Sequence, residues 1–253
     1  MLEIQNLCKS FGALKASDDL SLSVDQGTIH ALIGPNGAGK TTLISQLSGY
    51  MQPNSGMITF DGQDLLTVPA HKRPHAGLVR SFQITSVFPE LTVLDNICLV
   101  LQSMRGHAHS IIRLAASDYF EQNEAQEILT RVGLNDKAYS LTGNLAHGQK
   151  RQVEIAMALA TKPKLLLLDE PMAGMGTEES LQIMDLLNVL RKSVTMLLVE
   201  HDMDVVFSLA DKISVLVYGR VVASDTPENI RNNQDVQEAY LGGNELKTKA
   251  EIC

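Results

Sequence analysis

The residues at 34–42, Gly-Pro-Asn-Gly-Ala-Gly-Lys-Thr-Thr, have the types and spacing needed to wrap a chain of phosphates. They fit G-x-x-x-x-G-K-[ST]. Gly34, Gly37 and Gly39 let the main chain turn sharply and bring its N–H groups close to an anion, with Pro35, Asn36 and Ala38 completing the turn. Lys40 would carry its charge to the β- and γ-phosphates, and the Thr41 hydroxyl would enter the shell of a Mg²⁺. Thr42 continues a helix whose N-terminal amides and dipole favour negative charge. With ordinary residue usage the four fixed positions coincide by chance roughly once in a hundred chains of this size.

A second group lies downstream. The apolar run Leu165–Leu168 ends in Asp169 and Glu170, and ligands of open α/β sheets gather at such C-terminal strand ends. Asp169 is placed to hold the Mg²⁺ shell, directly or through water, and Glu170 to orient or deprotonate an attacking water.

These groups require particular elements. Residues 28–33 predict a mostly apolar strand entering the glycine loop, and 40–47 the helix leaving it. Strands are also predicted at 2–8, at 19–24, where Leu20, Leu22 and Val24 alternate with serines, and at 57–60 after a turn at 53–56. Another strand is expected at 78–82. From about 92 to 143 the pattern is helical, interrupted by a polar stretch at 105–110, and resembles an insert between two halves of an α/β core. Helices follow at 149–161, at 178–191 with Leu181, Met184, Leu187 and Leu190 as its apolar stripe, and at 203–209. Strands follow at 164–169, 194–199 and 213–218. The alternation predicts a largely parallel sheet wrapped by helices. The polar tail beyond Gly242 is expected to fray.

The chain has 253 residues and a net charge of −8, which argues against a nucleic-acid surface. No apolar run approaches the ~18 residues of a membrane span, and the N-terminus lacks the pattern of a signal peptide. Cys8, Cys98 and Cys253 are widely spaced, suiting a reducing cytosol rather than a disulfide framework. His107 and His109 in the polar stretch are expected to be solvated rather than metal-bound.

The phosphate loop, Gln83, Leu145-Ala146-His147-Gly148-Gln149, Asp169-Glu170 and Val199-Glu200-His201-Asp202 stand in the order seen in ATP-binding cassette (ABC) ATPases. The resemblance spans residues 2–241 as one ATPase domain, with a helical subdomain at about 90–160 and a tail at 242–253. It implies an α/β fold: a P-loop NTPase core with a mixed or parallel sheet, an N-terminal antiparallel β subdomain and a helical insert subdomain. It implies ATP and Mg²⁺ as ligands, with Gln83 touching the metal or the attacking water, His201 hydrogen-bonding the γ-phosphate and Phe11 stacking on adenine. The pentapeptide 145–149 resembles the signature that binds, in trans, the γ-phosphate held by a second ATPase subunit. Two departures stand out there, Ala146 for Ser and His147 for Gly. The lost hydroxyl would weaken that grip by about 0.5–1.5 kcal/mol. Gly176 stands where many relatives carry an aspartate, which puts communication across the dimer through that residue in doubt.

Within the family, Glu170-Pro171-Met172-Ala173-Gly174-Met175 and the ending Thr226–Asn233 resemble ATPases of branched-chain and other hydrophobic amino-acid importers. Such systems combine two permeases, two ATPases, as a homo- or heterodimer, and a periplasmic solute-binding protein, with the ATPase peripheral on the cytoplasmic face of the inner membrane. Residues 84–101 are expected to offer apolar surface to the permease. Urea, amide or aromatic-acid importers, a lipid exporter and a soluble non-transport cassette ATPase are the alternatives.

Overall fold

Alternating apolar and polar residues at the N-terminus form one long hairpin, β1 (Leu2–Phe11) and β2 (Leu14–Val24). Both strands run further than the expected 2–8 and 19–24, because the pairing continues to Phe11 opposite Leu14. Leu20, Leu22 and Val24 point into the core and Ser21 and Ser23 to solvent, as the period-two pattern requires. The computed structural model describes residues 1–81, 87–106 and 114–241.

The chain then enters β3 (Ile29–Ile33), the glycine loop and α1 (Lys40–Leu47). It returns through β4 (Ser55–Phe60) and the two-residue β5 (Gln63–Asp64), reaching α2 (Arg73–Ala76) and β6 (Leu78–Ser81). The turn expected at 53–56 ends two residues early, since Ser55 already pairs with Cys8 on β1. Helices α3 (Val93–Met104), α4 (Leu114–Val132) and α5 (His147–Ala160) follow and pack on one another. The core resumes with β7 (Leu165–Asp169), α6 (Thr177–Leu190), β8 (Thr195–Val199), α7 (Met203–Leu209) and β9 (Lys212–Val217). The described chain closes with β10 (Arg220–Asp225), α8 (Pro227–Arg231) and α9 (Gln234–Leu241).

Two sheets result. The antiparallel one has the order β2-β1-β4-β5, and the larger one β10-β9-β3-β8-β7-β6. In the larger sheet β9, β3, β8, β7 and β6 pair in parallel, and only β10 runs antiparallel, at the edge. Leu165–Leu168 are fully buried because helices of the main core cover one face and α1, backed by the small sheet, covers the other. Each such leucine contributes roughly 1.5–3 kcal/mol of burial, so β7 is firmly held and the carboxylates at its end are aimed.

Two sequence readings need correction. On α6 the buried positions are Ile183, Leu186, Leu187 and Leu190, and Leu181 is exposed. A strict spacing of three drifts around a helix of 3.6 residues per turn, so it cannot mark one face. Of the described residues 87–101, Val93, Leu94, Ile97 and Leu101 lie in the main core, while Phe88 and Leu99 are exposed and Val87, Leu91 and Val100 half-buried. Residues 82–86, which include the expected strand end at Phe82, lie outside the described residues, as do His107, His109, Cys253 and the tail from Gly242.

Candidate nucleotide site

The glycine loop is held by close main-chain packing on both sides. A Cβ on Gly34 would come within 2.1 Å of the Leu216 carbonyl oxygen on β9, and one on Gly39 within 2.1 Å of the Ala16 carbonyl on β2. Gly37 instead supplies a left-handed φ of 81° in open space. The loop is tied further by the Gly219 N–H, which donates to the Ala38 carbonyl at 2.9 Å, and by the Asp18 N–H to the Gly219 carbonyl at 2.9 Å. Both sheets therefore fix the loop, and α1 starts from it with Gly39 as its N-cap. Arg73, fully buried, anchors the other end of α1 by donating to the Gln46 and Leu47 carbonyls at 2.7 and 2.5 Å. A cation there also complements the helix dipole.

Lys40 is half-buried, and its Nζ donates to the Gly34 and Pro35 carbonyls at 2.5 and 3.1 Å. Burial lowers its pKa, and the charges of Glu170 and Asp169 act against that shift, so both carboxylates lie within its electrostatic reach. Thr41 is exposed beside it and Thr42 half-buried. Asp169 is 3% exposed, and its Oδ2 accepts from Arg80 Nη2 at 2.8 Å. Arg80 stands on β6 opposite Leu167, two residues before Asp169 on β7. It was not singled out from the sequence, where nothing joins two residues 89 positions apart.

Glu170 adopts φ 47°, a left-handed backbone that costs a non-glycine residue about 1–2 kcal/mol. The strain is held by the Glu170 N–H, which donates to the Val199 carbonyl at 2.9 Å. The carboxylate stays part-exposed, with Oε1 3.8 Å from His201 Nδ1. A third carboxylate completes this corner. Glu200 is 2% exposed; it accepts the Met172 N–H at 3.1 Å and the His201 N–H at 3.3 Å. Burial raises its pKa, and the two amide donors oppose the rise. Glu200 thus ties the loop after Glu170 to the loop carrying His201. Its one sequence signal was adjacency to His201.

The structure brings Lys40, Asp169, Glu170 and His201 together. Gln83 lies outside the described residues. Phe11 is half-exposed at the tip of the hairpin whose Ala16 packs on Gly39, with Lys9 Nζ 5.5 Å from its ring centroid. The pentapeptide starts α5 two residues earlier than expected, with Leu145 buried and Ala146 as N-cap. Ala146 offers no side-chain acceptor to the first turn, although Gln149 Oε1 accepts the Ala146 N–H at 3.2 Å. The contacts of this helix start are with α6 and the loop after Glu170. Gly148 N–H donates to Glu179 Oε1 at 3.1 Å, and His147 Nε2 lies 4.0 Å from where a Cβ on Gly174 would stand.

This arrangement fits a magnesium nucleotide. The glycines leave room that side chains would fill, a lysine faces two carboxylates, and hard oxygen donors at Thr41 and Asp169 suit Mg²⁺. Comparison with known proteins agrees. The ABC transporter family model matches residues 17–173, and that of branched-chain amino acid ATP-binding cassette transporters matches residues 220–245. The chain is 39% identical to the high-affinity branched-chain amino acid transport ATP-binding protein BraF of Pseudomonas aeruginosa, covering 96% of this chain and 98% of that one. It is 38% identical to LivG of Escherichia coli, of the same description, over the same shares. Among solved structures it resembles the ADP conformation of MJ1267, an ATP-binding cassette of an ABC transporter, with TM-score 0.81, 30% identity and 96% and 98% of the two chains covered. The chain belongs to the ABC transporter ATPases, and within them to the branched-chain amino-acid transport ATP-binding proteins.

Proposed function

We propose that this chain hydrolyses Mg-ATP on the cytoplasmic face of the inner membrane to drive import of branched-chain or other hydrophobic amino acids. The observation that carries the catalytic reading is the convergence of Lys40, Asp169, Glu170 and His201 at the C-terminal edge of the sheet beside the glycine loop. Main-chain N–H groups of the 34–42 loop, Pro35 excepted, and Lys40 hold the phosphates. Thr41, Asp169 and Gln83 would hold Mg²⁺, which would supply charge neutralisation to the phosphates. Arg80 keeps the Asp169 carboxylate in one orientation. Glu170 accepts the proton of the attacking water, and His201 donates to the γ-phosphate. Phe11 stacks on adenine from the hairpin tip.

The second half of each site comes from residues 145–149 of a partner ATPase, so nucleotide joins the two subunits and its hydrolysis releases them. A cavity of about 240 Å³ suits a permease segment; among its lining residues are Tyr50, Pro74, Val100 and Thr161. It abuts Arg80, so a docked segment would sit one side chain from Asp169. A periplasmic solute-binding protein would act through the permease. No helix among the described residues is long and apolar enough to cross a membrane, in keeping with a peripheral subunit. The C-terminal match at 220–245 favours amino-acid import over the lipid-export alternative.

The test is Glu170→Gln. The variant should retain ATP while turnover falls by about 10²-fold or more; unchanged hydrolysis would remove Glu170 from the mechanism. For the solute, leucine uptake should disappear on deletion of the chain and return on complementation. Uptake that persists in the deletion would point to another solute class.

A further inference from the structure

Glu179 of α6 carries no role in the mechanism above, yet its carboxylate sits on the N-terminus of α5. Its Oε1 accepts the Gly148 N–H at 3.1 Å, and the approach is close enough that a Cβ on Gly148 would press on the Glu179 side chain at 3.2 Å. Gly148 lies in the first turn of a 14-residue helix whose N-cap, Ala146, has no side-chain oxygen to offer. An anion at this position takes up an orphan amide and the positive helix end together. The reading of residues 145–149 as a γ-phosphate grip asks the same amides to face a second anion.

One N–H cannot serve two anions well, and two negative groups at a single helix end repel. We propose that Glu179 is a latch on the signature helix: it occupies the Gly148 amide within its own subunit and must withdraw before that amide meets the γ-phosphate on a partner subunit. This rests on the trans-site reading of residues 145–149. Glu179 is then a positioning residue that sets the nucleotide concentration at which two subunits close. Because α6 begins directly after the loop that follows Glu170, withdrawal of Glu179 would be felt in that loop, where His147 packs near Gly174.

The test uses the full chain carrying Glu170→Gln, titrated with Mg-ATP and followed by light scattering for association, with itself or, where it does not self-associate, with the companion ATPase of its transporter. Adding Glu179→Ala should lower the half-point for ATP about fivefold. Glu179→Gln, which keeps the size and one acceptor oxygen but not the charge, should shift it less in the same direction. Amide exchange at Gly148 should quicken in Glu179→Ala without ATP. A half-point that stays in place or rises in both folded variants would overturn the latch and make Glu179 a plain anchor of α5. Failure of the parent Glu170→Gln chain to associate in either setting, while it retains ATP, would sink the trans-site reading and the latch with it.

Discussion

The two helix starts proposed to meet phosphate are built in opposite ways. At α1 the loop is fixed by main chain against main chain, with Gly34 and Gly39 so close to the Leu216 and Ala16 carbonyls that no side chain fits. At α5 the helix start is held by side chains: a Gln149 amide and a Glu179 carboxylate. Main-chain packing tolerates almost no substitution, whereas side-chain contacts can be exchanged at a cost of about 1 kcal/mol each. This explains how the α1 loop keeps the full phosphate-binding pattern while the α5 pentapeptide has Ala146 and His147 in place of Ser and Gly.

The contrast can be broken most directly at α1. Gly39→Ala places a Cβ against the Ala16 carbonyl on a backbone with φ 109°, so the loop or the hairpin must shift. The expected result is a loss of about 3–4 kcal/mol of stability in denaturant titration, with ATP retention lost in a filter assay. Unimpaired nucleotide binding would show the loop to be more pliant than its packing implies.

A second probe compares the loop's supports away from the phosphates. His30 on β3 is fully buried, with Nε2 2.7 Å from Ser214 Oγ, and burial lowers its pKa from 6.5 to about 4. The unfolded chain takes up this proton as pH falls below 6.5, and the folded chain does so only near 4. The stability His30 contributes is therefore complete above that window and declines through it on acidification, by about 3 kcal/mol at most. His30→Gln should flatten that part of the stability–pH curve; an unaltered acid slope would assign it to other groups.

The smallest expected effect lies at α5. Ala146 has N-cap dihedrals, φ −61° and ψ 162°, that suit serine. Ala146→Ser should raise stability by about 1 kcal/mol and lower the ATP needed for subunit closure a few-fold, read by thermal melting and by the association titration. A destabilised variant would mean that His147 and Gln149 already occupy the space a hydroxyl needs.

Much of the architecture could be read from the chain. The strand–loop–helix at 28–47 and the apolar β7 follow from local pattern, and the helical insert from its period. The missed pieces are those whose sequence signal is weak or whose partner is remote. β5 is two residues long, and β10 is an edge strand with only partly buried side chains. α6 exists where expected, but a stripe with a period of three named Leu181 in place of Ile183 and Leu186. At the site, Arg80, Glu179 and Glu200 look like ordinary surface charges in sequence, and only packing gives them partners.

By itself the sequence determined which residue types stand at the two strand ends. A glycine-rich loop followed by lysine and threonine, and an apolar strand ending in two carboxylates, are local patterns whose backbone consequences extend over a few residues. Tertiary structure decided which charges oppose which. Arg80 meets Asp169 across 89 residues and Glu179 meets Gly148 across 31, because strand order and helix packing bring them within reach. A hydrogen bond is settled by ångströms in space, and that separation is set by the packing of the whole sheet rather than by any short stretch of chain.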